Sequence, residues 1–296
     1  MFSLPEMQET ATAVRMISPI YRYANATDAP AIRSLIERCY RGGEIAKDWA
    51  SEATFLKGPR TSEAEVASLI DEVRAPADRV WVIPPGVDVE LFRPDRAIRA
   101  GQRMRARLGI ADDRPVIAVA GRIQPLKDQE LAIRALAELH ALRGWAPVLV
   151  VAGEPTPGDE DYAASLRSLA QELGVAEDVR FAGALRRDRL AELFTAASVT
   201  VLPSHSETFG LVALESAASG TPVVGYRGSG MVESIADGRS GLLVDSREPR
   251  DWAEVIARLL DDPQALGRMS AASREHALGY TWAASATALL GVYGSL

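Results

Sequence analysis

Residues that form disulfides or bind metals are scarce in this chain of 296 residues. The single cysteine, Cys39, excludes an intrachain disulfide and fits a reducing cytoplasm, where we expect the protein to reside. Only three histidines are present, so we expect no metal site of the His/Cys type. The sequence also lacks any run of about 18 apolar residues, and its N-terminus lacks the basic start and apolar core of a secretory signal. We therefore expect neither a membrane span nor export.

Positive charge is in short supply as well. The 33 Lys and Arg residues are outnumbered by 40 Asp and Glu residues, which gives a net charge of −7. A surface that binds nucleic acid or an anionic membrane usually carries clustered positive charge. We therefore expect no nucleic-acid partner, although a local basic pocket is compatible with this balance. The composition leaves the oligomeric state open.

From about residue 113 onward, short apolar runs alternate with longer helix-like segments. The runs are continuous, which is typical of strands buried on both faces of a sheet. The alternation predicts an α/β fold with a Rossmann-like, doubly wound parallel sheet, whose ligands bind at the carboxyl ends of the strands. The predicted strands are PVIAVAG (115–121), APVLVVAG (146–153), VRFAG (179–183), SVTVLPS (198–204), TPVVGY (221–226) and GLLVD (241–245).

The first 95 residues follow a different pattern. AIRSLIERCY (31–40) and TSEAEVASLIDEV (61–73) predict two helices, and DRVWVIPPGVD (78–88) predicts a strand that runs into a Pro-Gly turn. The stretch is too short for a second doubly wound sheet. We therefore predict a small truncated α+β module over residues 1–77, a linker over 78–95 and a larger domain over 96–296.

Two carboxylates bracket a predicted helix start in the sequence SETFGLVALE. Gly210 allows close backbone approach, and the first N–H groups of a helix that starts near Leu211 have no internal partners, so this end attracts a phosphate. Glu207 and Glu215, on either side, can each accept hydrogen bonds from a sugar or ribose diol. A phosphate between two polyols describes a nucleotide sugar. The spacing alone is equally compatible with a helix-start acid and a surface residue.

A second segment, AVAGRIQPLKD (118–128), places charge at the end of a strand. Gly121 and Arg122 follow the predicted strand, and Lys127 precedes a helix. A guanidinium fork and an ammonium can both bind a diphosphate there, and the alternative is a solvated basic pair. The segment is not a Walker loop, and GSGMVE (228–233) lacks the third glycine of the dinucleotide fingerprint.

Together these segments resemble the donor-binding half of a GT-B glycosyltransferase of family 4. Glu207 and Glu215 match the E-x7-E motif of that family, and GRIQPLKD and ESIADGRSGLLVD fit its pattern on either side. The resemblance covers about residues 78–296 and is greatest to a branch that transfers sugar from UDP-N-acetylglucosamine to an inositol phosphate. It implies retaining transfer from a nucleotide-sugar donor, expected to be a UDP-sugar, to a sugar or cyclitol-phosphate acceptor. It implies no cofactor beyond that donor and no metal.

The resemblance also implies roles for single residues. Arg122, Lys127 and Glu207 would be catalytic: the two cations stabilise the leaving diphosphate, and Glu207 holds the sugar hydroxyls. Glu215 would take the ribose diol, and Arg186 would flank the base. The implied donor-binding residues are Gly121, Arg186, Phe209, Gly210, Leu211 and Glu215.

The N-terminal segment departs from that family. Its first part, about 55 residues, is similar to the start of a GNAT-type N-acetyltransferase, without the acetyl-CoA loop of that fold. A whole GT-B enzyme binds its acceptor in an N-terminal sheet domain of similar size to the donor domain. We therefore expect a truncated or fused product, in which sugar transfer is feeble or absent.

Other functions stay open at this point. The chain can be a catalytically silent donor-binding module, an N-acetyltransferase fragment, or a glycoside hydrolase that uses Glu207 and Glu215 as acid and base. A hydrolase has no task for Arg122 and Lys127, and the missing acetyl-CoA loop disfavours an acetyltransferase. His205 either orients a donor phosphate or the acceptor, or is a loop residue without chemistry.

Overall fold

The structure is a computed structural model, and it describes residues 83–94, 98–111 and 113–294. The predicted module over 1–77, with its GNAT-like segment and Cys39, lies outside the described residues. So do residues 78–82 and 95 of the predicted linker. The domain boundaries therefore stay predictions.

In the described part of the chain, strands and helices alternate as far as the last strand, and three helices follow it. Each predicted strand contains one observed strand; the third has its predicted bounds and the others are shorter. The strands are β1 Val116–Ala120, β2 Val148–Ala152, β3 Val179–Gly183, β4 Val199–Leu202, β5 Val223–Tyr226 and β6 Gly241–Val244. The helices are α1 Ile98–Arg107, α2 Gln129–Arg143, α3 Glu160–Glu172, α4 Arg187–Ala196, α5 Leu211–Ala218, α6 Met231–Ser234, α7 Pro249–Asp261, α8 Pro263–Leu278 and α9 Trp282–Gly294. Short 3-10 helices span Pro125–Lys127 and Ala176–Asp178.

The strands form one parallel sheet in the order β3-β2-β1-β4-β5-β6. The chain builds outward from β1 to β3 and then returns to place β4 on the other side of β1. The strand order therefore reverses between β1 and β4, and the loops that follow these two strands flank a crevice at the carboxyl edge. The predicted doubly wound parallel sheet is confirmed.

Helices cover both faces of the sheet. Alternate residues of β1 enter opposite cores, so Ile117 packs in the core that α2, α3 and α7 share, while Ala118 packs in the core of α4 and α5. This two-sided burial explains why the strands are continuous apolar runs. Trp252 of α7 is fully buried, and its indole N–H donates to the Ser246 carbonyl at 2.8 Å. The core thereby fixes the loop that follows β6.

The described part of the predicted linker packs on the larger domain. Phe92 is fully buried in the α4–α5 core, and the Ser285 hydroxyl donates to the Pro84 carbonyl at 2.7 Å. Residues 83–88 are not a regular strand, and Val87 makes an isolated parallel bridge to Thr281. The consecutive prolines at 84 and 85 account for this, because they have no N–H to donate to a ladder.

Candidate functional site

Glycine brings the loops after β1 and β2 into close contact at the carboxyl edge. Gly153 has a φ of 156°, and a Cβ atom there would lie 1.9 Å from the carbonyl oxygen of Gly121. Gly121 has a φ of 149°, and a Cβ added there would meet open space within 4 Å. The backbone after β1 is therefore open on the side where a ligand can approach.

Lys127 and Glu207 meet across the crevice, although they lie 80 positions apart in the sequence. The Lys127 Nζ atom is 2.5 Å from Glu207 Oε1, and their side chains are 21% and 17% exposed. The Ser204 hydroxyl donates to the same carboxylate oxygen at 3.0 Å. The sequence predicted both charged residues as site residues, and the structure places them in direct contact.

The helix start between the two carboxylates is built on Gly210. Its φ is 82°, and a Cβ atom there would lie 3.0 Å from Met231 Cγ and from Ser234 Oγ. The helix α5 begins at Leu211, as predicted, and no side chain caps its N-terminus. The Ala213 N–H bonds back to the Gly210 carbonyl at 2.9 Å. The start of such a helix attracts an anion through its dipole and its leading N–H groups.

Phe209 acts mainly through packing. Its ring lies 5.9 Å from the ring of Tyr280, at an interplanar angle of 56°. The His276 ring also packs against Tyr280, with 5.1 Å between the ring centroids. The pair attaches the loop before α5 to the end of α8. Leu211, by contrast, is 42% exposed at the first position of the helix.

Glu215 lies one turn inside α5 and is only 17% exposed. Burial raises the pKa of its carboxyl group, and the nearby positive charge of Arg187 opposes that shift. The Arg187 guanidinium is 3.5 Å from Glu215 Oε1, at the long limit for a hydrogen bond. Glu215 is therefore a half-buried acid with a loosely held partner and not a fully solvated surface residue.

Arg186 was expected from the family resemblance to flank the base, and Arg187 was not singled out in the sequence. Arg186 has a side chain that is 91% exposed, with Asp188 at 3.6 Å, whereas Arg187 faces Glu215. The two arginines are adjacent in the sequence and nothing in the residue pattern separates them. Only the start of α4 at Arg187 decides which of them turns toward α5.

Arg122 does not join the ion pair. Its side chain is exposed, and its carbonyl accepts the Gln129 side-chain amide at 2.8 Å. Its positive charge acts on Asp159, whose pKa is raised by burial and by Glu160, while Arg122 opposes the increase. The structure therefore brings Lys127, Glu207 and Glu215 to one helix start, whereas the Arg122 side chain is exposed and acts on Asp159.

His205 contacts charged residues, although sequence reasoning left its role open. Its Nε2 atom lies 3.3 Å from the Asp128 carboxylate and 3.4 Å from the Arg247 guanidinium. Burial lowers the pKa of His205, Arg247 lowers it further, and Asp128 opposes both. Asp128 and Arg247 were not predicted as site residues, because nothing local to either sequence position indicates their pairing.

Neither a metal centre nor a membrane helix emerges from the residues that the structure describes. Among them, no three His, Cys, Asp or Glu side chains are grouped to hold an ion. No helix in the same residues combines the length and apolar character needed to cross a bilayer.

The fold and the site together define an α/β domain with an anion-attracting helix start at the switch point of its sheet. Residues 101–276 match the family model for glycosyl transferases group 1, and the chain belongs to that family. The family resemblance seen in the sequence is thereby confirmed.

Several known proteins are similar to the chain. D-inositol 3-phosphate glycosyltransferase of Stackebrandtia nassauensis is 44% identical over 247 residues, which cover 82% of this chain and 54% of that protein. Sucrose-phosphate synthase from Thermosynechococcus elongatus gives a TM-score of 0.68 at 28% identity, over 89% of this chain and 65% of that one. The Anabaena protein HepE, solved in complex with UDP, gives a TM-score of 0.68 at 23% identity, over 78% of this chain and 62% of that one. The chain spans about half the length of the curated relatives that it matches.

Proposed function

We propose that this chain binds a nucleotide-sugar donor, a UDP-sugar, and serves in retaining transfer of the sugar to a hydroxyl acceptor. The observation that carries the proposal is the Lys127–Glu207 pair at the uncapped start of α5, with Glu215 one turn further along the same helix. A diphosphate fits the helix start, the sugar hydroxyls fit Glu207, and the ribose diol fits Glu215. The family resemblance supplies uracil as the expected base.

The proposed chemistry is electrostatic. When the bond between the anomeric carbon and the diphosphate breaks, its electron pair goes to the departing phosphate oxygen, where negative charge develops. In this proposal Lys127 and the start of α5 lie beside that position, and the exposed side chain of Arg122 can turn toward it. Preorganised donors of this type stabilise the transition state more than the ground state.

The proposed acceptor is the hydroxyl of a sugar or of a cyclitol phosphate. Its support is the 44% identity to an enzyme named for D-inositol 3-phosphate. That identity extends over 54% of the relative, so a donor-binding module without transfer activity is the second candidate function. A transfer assay with UDP-N-acetylglucosamine and inositol phosphate separates the two, since only the first candidate gives a glycosylated product.

Calorimetric titration with UDP, GDP and ADP tests donor binding. We expect UDP to bind most tightly, and we expect Glu215→Ala and Lys127→Ala each to weaken it. Glu192→Ala is the matched control. Glu192 lies on α4, its side chain is 14% exposed, and it also pairs with two arginines, Arg103 and Arg189. Absence of binding at millimolar UDP, or equal loss in the control, would refute the proposal.

A further inference from the structure

Arg247, in the loop after β6, bonds to the two loops that carry the Lys127–Glu207 pair. Its Nη1 group donates to the Pro203 carbonyl at 2.6 Å, in the loop that leads from β4 to Glu207. Its Nη2 group donates to the carboxylate of Asp128, the residue that directly follows Lys127. One guanidinium thus bridges the loops on both sides of the switch point.

Arg247 is itself held in place. Its guanidinium carbon lies 4.6 Å from the centroid of the Tyr226 ring, and its side chain is only 24% exposed. The preceding residue, Ser246, is fixed through its carbonyl by the buried indole of Trp252. A planar fork on a ring face loses little additional freedom when it makes two hydrogen bonds. The bridge is therefore a rigid element and not a mobile surface pair.

Asp128 holds the other end of the bridge in an unusual backbone conformation. Its φ is 48°, and among the described residues it is the one non-glycine with positive φ. It is 7% exposed, and its Oδ1 atom accepts the Leu131 N–H at 3.2 Å, which caps α2. Left-handed backbone costs energy at a non-glycine residue and persists where the surroundings enforce it. Here the cap and the Arg247 bond supply that constraint immediately after Lys127.

A backbone bond constrains the other side of Lys127. The His205 N–H donates to the Leu126 carbonyl at 2.9 Å. The residues before and after Lys127 are thus both tied to the loop that carries Glu207.

We propose that Arg247 and Asp128 are positioning residues for the donor diphosphate and act through Lys127. The inference rests on the proposed function. With the bridge intact, Lys127 Nζ is already placed at the helix start before a ligand arrives, so binding does not pay for ordering it. Without the bridge, the ligand must order the loop that carries Lys127. The affinity for the diphosphate then decreases, whereas the affinity for the nucleoside does not change.

The test compares UDP and uridine binding to the full chain, by ligand-observed NMR, in a double-mutant cycle. We expect Arg247→Ala to weaken UDP about three- to tenfold and to leave uridine unchanged. In a Lys127→Ala background, Arg247→Ala should produce no further loss, because its effect passes through Lys127. Asp128→Asn should weaken UDP to a smaller degree; since asparagine tolerates left-handed backbone and keeps the cap, it remains informative if another variant folds poorly.

Arg114→Ala is the matched control. Arg114 also bridges a carbonyl and a carboxylate, with 2.7 Å to the Ala146 oxygen and 2.5 Å to Asp178, at the opposite edge of the sheet. We expect it to leave UDP affinity unchanged. Three results would overturn the inference but not the proposed function. Arg247→Ala binds UDP as tightly as wild type, it weakens uridine as much as UDP, or it weakens UDP by the same factor in the Lys127→Ala background as in the wild-type chain. Absence of UDP binding by the wild-type chain would overturn the proposed function and the inference together.

Discussion

Replacement of Lys127 by alanine tests whether the Lys127–Glu207 pair serves the fold or the ligand. The pair is neither exposed nor fully buried, with side chains 21% and 17% exposed at a distance of 2.5 Å. Exposed ion pairs contribute about 0–1 kcal/mol, and breaking a buried pair costs about 3–5 kcal/mol. We expect Lys127→Ala to lower the free energy of unfolding by about 1–2 kcal/mol, between these limits.

Most of that loss comes from the carboxylate that remains. In Lys127→Ala, Glu207 keeps the Ser204 hydroxyl at 3.0 Å but loses its countercharge. The double variant Lys127→Ala/Glu207→Ala removes the uncompensated carboxylate as well. We therefore expect its free energy of unfolding to return to within about 0.5 kcal/mol of the wild-type value, because removal of both partners of a pair costs less than removal of one.

Ligand binding should not recover in the same way. A hydrogen bond to a charged group contributes about 1.5–3 kcal/mol, so we expect Lys127→Ala to raise the Kd for UDP about 10- to 150-fold. The double variant should bind no more tightly than Lys127→Ala. Urea denaturation followed by circular dichroism measures the stability, and calorimetry measures the affinity. Wild-type UDP affinity in folded Lys127→Ala would refute the reasoning and leave the pair as a purely structural contact.

Two further predictions concern Glu215 and Gly153. Because burial raises the pKa of Glu215, the folded chain binds the proton more tightly than the unfolded chain, so this carboxyl destabilises the fold as the pH rises above its unfolded pKa. Glu215→Gln should therefore be more stable than wild type at neutral pH, should lose that advantage as the pH falls through the carboxyl range, and should bind UDP more weakly. Gly153→Ala should lower the free energy of unfolding by about 2–4 kcal/mol, because its Cβ atom meets the Gly121 carbonyl 1.9 Å away. Urea titrations at several pH values measure the first effect, and a titration at neutral pH measures the second.

Each of these predictions has its own contradicting result. If Glu215→Gln is less stable than wild type at neutral pH, and the deficit grows at higher pH, then the ion pair with Arg187 stabilises the fold by more than the burial of the carboxylate costs. For Gly153, the control is Gly158→Ala, since Gly158 has a φ of 99° but no atom within 4 Å of an added Cβ. Equal losses at the two glycines would mean that backbone strain alone, and not the close approach to Gly121, accounts for the effect.

Most of the fold follows from local patterns in the sequence. Six continuous apolar runs predicted six buried strands, and each observed strand lies inside its predicted run. The start of α5 at Leu211 was also predicted, because Gly210 and the run after it form a local helix-start signal. Such signals are readable because they depend on neighbours within a few positions. Residues 83–88, where a strand was predicted to run into a Pro-Gly turn, are irregular apart from a bridge at Val87, and the earlier part of that predicted strand lies outside the described residues.

The spacing of Glu207 and Glu215 also marked the candidate site, but their surroundings did not follow from it. No sequence pattern favoured Arg187 over Arg186 as the partner of Glu215, or connected Asp128 with a residue 119 positions away. The choice between neighbouring arginines depends on the rotation of α4 where it begins. The Asp128–Arg247 bond depends on the loops after β1 and β6, whose strands are not neighbours in the sheet.

The sequence by itself therefore determined the strands, the helices and the family, because hydrophobic periodicity and short motifs act over short separations along the chain. Only the tertiary structure decided which charges meet: Lys127 with Glu207, Arg187 with Glu215, and Arg247 with Asp128. These contacts exist because the parallel strands deliver all of their following loops to one edge of the sheet. Loop lengths and packed side chains then set distances of a few ångströms that no local pattern encodes.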